Sequence, residues 1–185
     1  MKKAIALLLC ICLTLAFSAC SKGEEVPPQP DFRNAFWGMS QTKVAESEAM
    51  DYAFADDNII FYTTQLEETG EDIEITYYFT DSALTSAELR FTQQEDRTID
   101  DLIASYLALR DKVSAAYGDP VDPDYRVWLA KDPATEQDPD RLQIYYGRME
   151  YCTRWETDTG SLTLTLNCQG QKLAYVLFGE AAPQA

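Results

Sequence analysis

From residue 58 to residue 93 apolar and polar side chains change places at almost every step. Residues 58–66 set Ile60, Tyr62, Thr64 and Leu66 on one side. Residues 72–80 set Ile73, Ile75, Tyr77 and Phe79 against Glu74, Thr76 and Tyr78. Residues 83–93 end with Ala87, Leu89 and Phe91 against Glu88, Arg90 and Thr92. A period of two marks a strand with one covered face, and three such strands joined by short polar turns predict an antiparallel sheet. The turns fall at residues 67–71 and 80–82.

The period changes at Thr98. Ile99, Leu102, Ile103, Tyr106, Leu107, Val113 and Tyr117 form one stripe at helical spacing. Thr98 reads as its N-cap with Asp101 in the box position, and Gly118 with Pro120 stops it. A shorter helix is expected over residues 41–50, capped by Ser40, with Met39 and Val44 at the spacing of a hydrophobic staple. Its weak amphipathicity leaves its stability to tertiary packing.

Residues 119–140 are rich in proline and aspartate, broken by a short predicted strand at 125–130 that carries Trp128. Residues 141–146 then read as a strand running on into 149–157, with a bulge at Gly147 where the apolar phase shifts. Leu162, Leu164 and Leu166 face inward on the next strand. The segment 173–178 is apolar on both faces, which predicts a central strand, and the tail after Gly179 reads as frayed. The sum is an α+β fold with helices on one face of an antiparallel sheet, arranged as two similar helix-plus-three-strand halves, 31–96 and 97–180. Residues 181–185 form a tail.

The N-terminus sets the location. Lys2 and Lys3 precede an apolar run over residues 4–17, the length of a signal peptide rather than of a permanent span. It ends in Phe17, Ser18, Ala19 and Cys20, which resemble a bacterial lipobox, with residues 1–19 as the leader. That resemblance implies cleavage before Cys20 and lipid on its sulfur, and so an envelope protein outside the cytoplasmic membrane. Residues 21–30 are a polar, proline-rich tether reaching about 30 Å when extended.

Composition then narrows the function. Of 15 basic residues Lys2 and Lys3 leave with the leader, so 13 stand against 31 acidic ones in the mature chain, a charge of −18. Such a surface repels nucleic acid and anionic headgroups. The 185 residues contain no histidine, which removes the commonest general base and zinc ligand. No cofactor is called for. The densest carboxylate group, Asp119, Asp122 and Asp124, has the residue types of a calcium loop without its spacing, and no metal is assigned to it. No pair of carboxylates stands out as catalytic. Tyr78 and Tyr145, each out of phase with its apolar neighbours, and Trp37 are the candidates for a binding surface. Cys152 and Cys168 fall on opposite faces of their strands by parity, which predicts two free thiols, one buried and one accessible.

Phe32-Arg33, Trp37-Gly38-Met39-Ser40 with Val44, and Tyr117-Gly118-Asp119-Pro120 with Trp128 resemble words shared by a group of uncharacterised bacterial secreted lipoproteins. Gly38-Met39-Ser40 with Val44 is more distantly similar to the opening of small outer-membrane-assembly lipoproteins, although their second G-x-P is absent. The order of helix and sheet resembles the fold of β-lactamase-inhibitor proteins. The resemblance implies a binding module, engaging the membrane through its lipid and another envelope protein or a glycan through its domain. A carboxylate-based glycan hydrolase is the alternative.

Overall fold

The computed structural model describes residues 28–65, 71–91, 97–131, 133–169 and 172–183. The leader, Cys20 and most of the tether therefore lie outside the described residues, as do residues 67–70 of the predicted turn at 67–71, and Gly170. Chain order is α1 (Gln41–Glu48), β1 (Phe54–Ala55), β2 (Ile59–Gln65), β3 (Asp72–Thr80), β4 (Ala83–Phe91), α2 (Ile99–Tyr117), β5 (Arg126–Trp128), α3 (Asp140–Tyr145), β6 (Met149–Glu156), β7 (Gly160–Gln169) and β8 (Lys172–Ala181). The strands form one eight-stranded sheet in the order β1-β2-β3-β4-β8-β7-β6-β5. Every neighbouring pair is antiparallel. The α+β expectation holds in outline, with strand outweighing helix. Two meanders meet through their last strands, β4 and β8, so the doubly apolar segment is indeed central.

Alternation delivers the core. Ile73, Ile75, Tyr77 and Phe79 on β3, Met149, Tyr151, Thr153 and Trp155 on β6, and Leu162, Leu164 and Leu166 on β7 are all buried. On β4 the phase breaks: the register shifts where Tyr78 pairs with Ser86 but Phe79 with Leu84. A bulge at Thr85 thus lets Leu84 and Ala87, three residues apart, both reach the core. The β3–β4 turn places Asp81 and Ser82 at φ of 51° and 64°, the paired left-handed conformation that matches the twist of a tight hairpin.

The long helix starts as its sequence predicts. Thr98 Oγ1 accepts from Asp101 N at 3.2 Å, and Asp101 Oδ2 accepts from Thr98 N at 2.9 Å. Its buried Tyr106 shares a 2.7 Å hydrogen bond with Thr153 Oγ1, and Ser114 Oγ accepts from Trp155 Nε1 at 3.1 Å. In α1, Ser40 has extended backbone at the cap position but makes no side-chain cap bond.

Three expectations are corrected. Residues 141–146 are not a strand: α3 (Asp140–Tyr145) occupies them, entered through Pro139, and Gly147 at φ 65° follows the helix end instead of forming a bulge. Helical turning buries Gln143 beside Ile144 and leaves Tyr145 and Tyr146 exposed, an arrangement that alternation does not allow. The chain after Gly179 is not frayed, because Glu180 and Ala181 pair with Ser161 and Gly160. A further short edge strand, β1, pairs Phe54 with Phe61 and carries no alternation to reveal it.

Candidate binding surface

The strand positions that alternate with the buried ones form cross-strand rows. One row runs Phe61, Thr76, Glu88, Phe178, Thr163, Arg154 from β2 to β6. Beside it runs Thr63, Glu74, Arg90, Val176, Thr165, Cys152, and on the other side Ile59, Tyr78, Ser86, Glu180, Ser161, Glu156. Phe61, Tyr78, Val176 and Phe178 are half-buried, as expected of side chains standing on a sheet with only strand neighbours beside them. Arg90 Nη2 lies 2.8 Å from Glu88 Oε1, and Arg154 Nη2 lies 3.3 Å from Glu156 Oε1. Apolar side chains, threonines and carboxylates thus share one surface. It offers contact area and hydrogen-bonding groups, and its carboxylates are spread along the strands instead of converging on one point.

The three aromatic residues singled out in the sequence lie in different places. Tyr78 stands in the outward set on β3. Tyr145 is exposed on α3, its ring 5.2 Å from that of Tyr146. Trp37 is half-buried and structural: its backbone N–H donates to Asp31 Oδ2 at 2.8 Å, and its ring tilts against Phe32. Among the described residues no contact joins the three. Phe61, Val176 and Phe178 were missed as surface residues, because apolarity on both faces of a strand reads first as burial.

The acidic loop is tied to itself. Asp122 Oδ1 accepts from Asp124 N at 2.9 Å, and Asp124 Oδ1 accepts from Arg126 N at 3.1 Å. These are Asx-type turns, in which the carboxylate stands in for a backbone acceptor. Among the described residues no group of three or more Cys, Asp or Glu side chains stands together in a metal-binding arrangement.

The most interconnected ionisable group is internal. Glu48, with no exposed side-chain surface, accepts from Arg33 Nη2 at 3.1 Å and from the Tyr77 hydroxyl. Burial first, and then the Glu48 carboxylate, push the Tyr77 phenol far above its ordinary range. Burial opposes the charge on Arg33, but the hydrogen bond and attraction to Glu48 outweigh it and raise its pKa. An enclosed carboxylate held by two donors is a clamp between the opening segment, α1 and β3, out of reach of a substrate. Burial also raises Tyr106, Tyr151 and Tyr175, the last to about 12.

The two cysteines are free. Cys152 pairs with Thr165 in the outward set, whereas Cys168 keeps phase with Leu166 and packs against the core. Opposite faces prevent a bridge, as strand parity predicts. The expected contrast in access is weaker than foreseen, since both thiols are half-buried.

Among the described residues no helix is long and apolar enough to cross a membrane. No family model, no curated protein and no solved structure matches this chain.

Proposed function

We propose that this chain is a lipoprotein of the bacterial cell envelope, anchored through Cys20, whose domain works as a non-enzymatic binding module. In this reading the helices are segregated to one face of the sheet, and the outward rows of the other face are the binding surface. The observation that carries it is the parity of the helix contacts. Glu48 of α1 meets Tyr77, Tyr106 and Ser114 of α2 meet Thr153 and Trp155, and Asp140 of α3 accepts from Tyr151 at 2.5 Å. Each of these strand partners belongs to the buried set. The outward set makes none of these contacts, and it includes the half-buried apolar side chains Val176 and Phe178 of β8 and, three strands away, Phe61 of β2.

The opening of the domain fits a tethered protein. Tyr117 at the end of α2 donates to Pro30 O at 3.1 Å, and Thr159 in the β6–β7 turn donates to Asp31. The chain therefore enters beside the β6–β7 turn, next to the outward row that ends in Ser161 and Glu156. Fractionation of cells producing the wild-type chain and Cys20→Ala tests the anchor. The wild type is expected with the membranes and the variant as an unlipidated precursor. A hydrolysis screen against envelope glycans tests the module: turnover abolished by one Asp or Glu substitution would replace it with an enzyme.

A further inference from the structure

From the charge pattern of the outward rows we infer that the partner is a protein surface presenting lysine or arginine around an apolar centre; this rests on the binding-module reading above. The described side chains of the outward set include six acids, Asp72, Glu74, Glu88, Glu150, Glu156 and Glu180, and two arginines, Arg90 and Arg154. Both arginines are already engaged, with Glu88 and Glu156. Glu74 stands opposite Arg90, whose guanidinium is held by Glu88, and among the described residues neither Glu150 nor Glu180 has a basic residue as its register partner. The three glutamates surround Val176, Phe178 and the threonines of β7 on three sides: Glu74 across β4 beyond the engaged Arg90, Glu180 along β8, Glu150 along β6.

Charge and dimension disfavour the other occupants. A second copy would bring the same acids face to face, in a chain of net charge −16. Anionic lipid is repelled for the same reason. Phe61 and Phe178 are separated by β3 and β4, too far apart to hold a single sugar between them. At about 4.8 Å per strand that is roughly 14 Å, and the row from β2 to β6 spans about 24 Å. That width suits a protein interface of about 800 Å² per partner. Apolar contacts at its centre supply affinity, and the surrounding carboxylates select a cationic rim and steer its approach.

The test uses the full lipidated chain in phosphatidylcholine nanodiscs, with empty nanodiscs as the blank. The probes are three strand-length peptides with leucine at alternate positions and lysine, serine or glutamate between. The lysine peptide is expected to bind, about tenfold more weakly when salt is raised well above physiological strength, and the glutamate peptide not at all. Glu74→Gln with Glu150→Gln and Glu180→Gln should weaken the lysine peptide about tenfold, and Phe178→Ser should abolish its binding. Thr163→Lys, which leaves Phe178 in place, should also weaken it. Undiminished binding to the triple glutamine variant overturns the inference, as does failure of the lysine peptide to bind. Equal, Phe178-dependent binding of the serine peptide removes the cationic partner yet keeps the binding surface. Loss of every Phe178 dependence removes both. A dimer in sedimentation that Phe178→Ser dissociates would overturn the inference in favour of a second copy.

Discussion

Tyr77 donates its hydroxyl hydrogen to Glu48, a carboxylate with no exposed side-chain surface. The two residues are 29 apart in sequence, and Arg33 closes the group from the opening segment, where its own φ is 53°. The clamp fastens the first described segment and α1 to the middle of a strand. Glu48→Ala strands a half-buried guanidinium and a buried phenol, and should destabilise the domain by about 3 kcal/mol. Tyr77→Phe removes one donor and should lower stability by about 1–2 kcal/mol. The double variant should fall short of the sum, because both changes break one network. Urea unfolding of the four proteins checks this; additive losses would show that the contacts are independent.

The buried tyrosines set an alkaline limit. Burial raises Tyr77, Tyr106, Tyr151 and Tyr175 above the ordinary value of 10.0, Tyr175 to about 12. A raised folded pKa means that the unfolded chain releases its phenolic protons first. The stability that these groups contribute is therefore whole below pH 10.0 and declines as pH rises toward 12 and beyond. Tyrosinate absorbance should rise in two stages, exposed phenols first and buried ones together with unfolding. A single smooth titration of all tyrosines with the fold intact would contradict this.

Two glycines are fixed by neighbours. A Cβ on Gly160 would stand 2.1 Å from Glu180 O and 2.9 Å from Trp37 Nε1, so the β7–β8 ladder itself would have to open. A Cβ on Gly179 would meet Phe32 Cδ2 at 2.7 Å, Leu162 Cδ2 at 3.0 Å and Trp37 Cη2 at 3.1 Å, which are side-chain atoms. Overpacking of that kind costs about 1–3 kcal/mol. Thermal unfolding should therefore rank Gly160→Ala as the more damaging change, with Trp37 fluorescence altered in both. The reverse order would mean that the side chains yield less readily than the strand end.

Local pattern made most of the sheet legible. Strict alternation located β2, β3, β4 and the inward set of β6 and β7, and parity placed Cys152 and Cys168 on opposite faces. The capping box at Thr98 and Asp101 located α2. Where the signal is shorter than its period, the reading fails. Leu142, Ile144 and Tyr146 alternate over too few residues to separate a strand from α3, whose six residues make fewer than two turns. The Glu48 clamp had no sequence signal, because its members come from three elements and meet only in the folded chain. The candidate surface was half legible. Tyr78 stood out as an out-of-phase aromatic, but Val176 and Phe178 were absorbed into the reading of a central strand, which is correct for that strand and silent about its outward side.

The binding surface itself is tested most directly by photo-cross-linking in the cell of origin. A benzophenone amino acid is placed at Thr163, beside Phe178 in the outward set, and separately at Ala108, exposed on α2. The account predicts a discrete adduct to one envelope protein from Thr163, diminished by Phe178→Ser, and none from Ala108. An adduct from Ala108 with none from Thr163 would contradict it, moving the working surface to the helices.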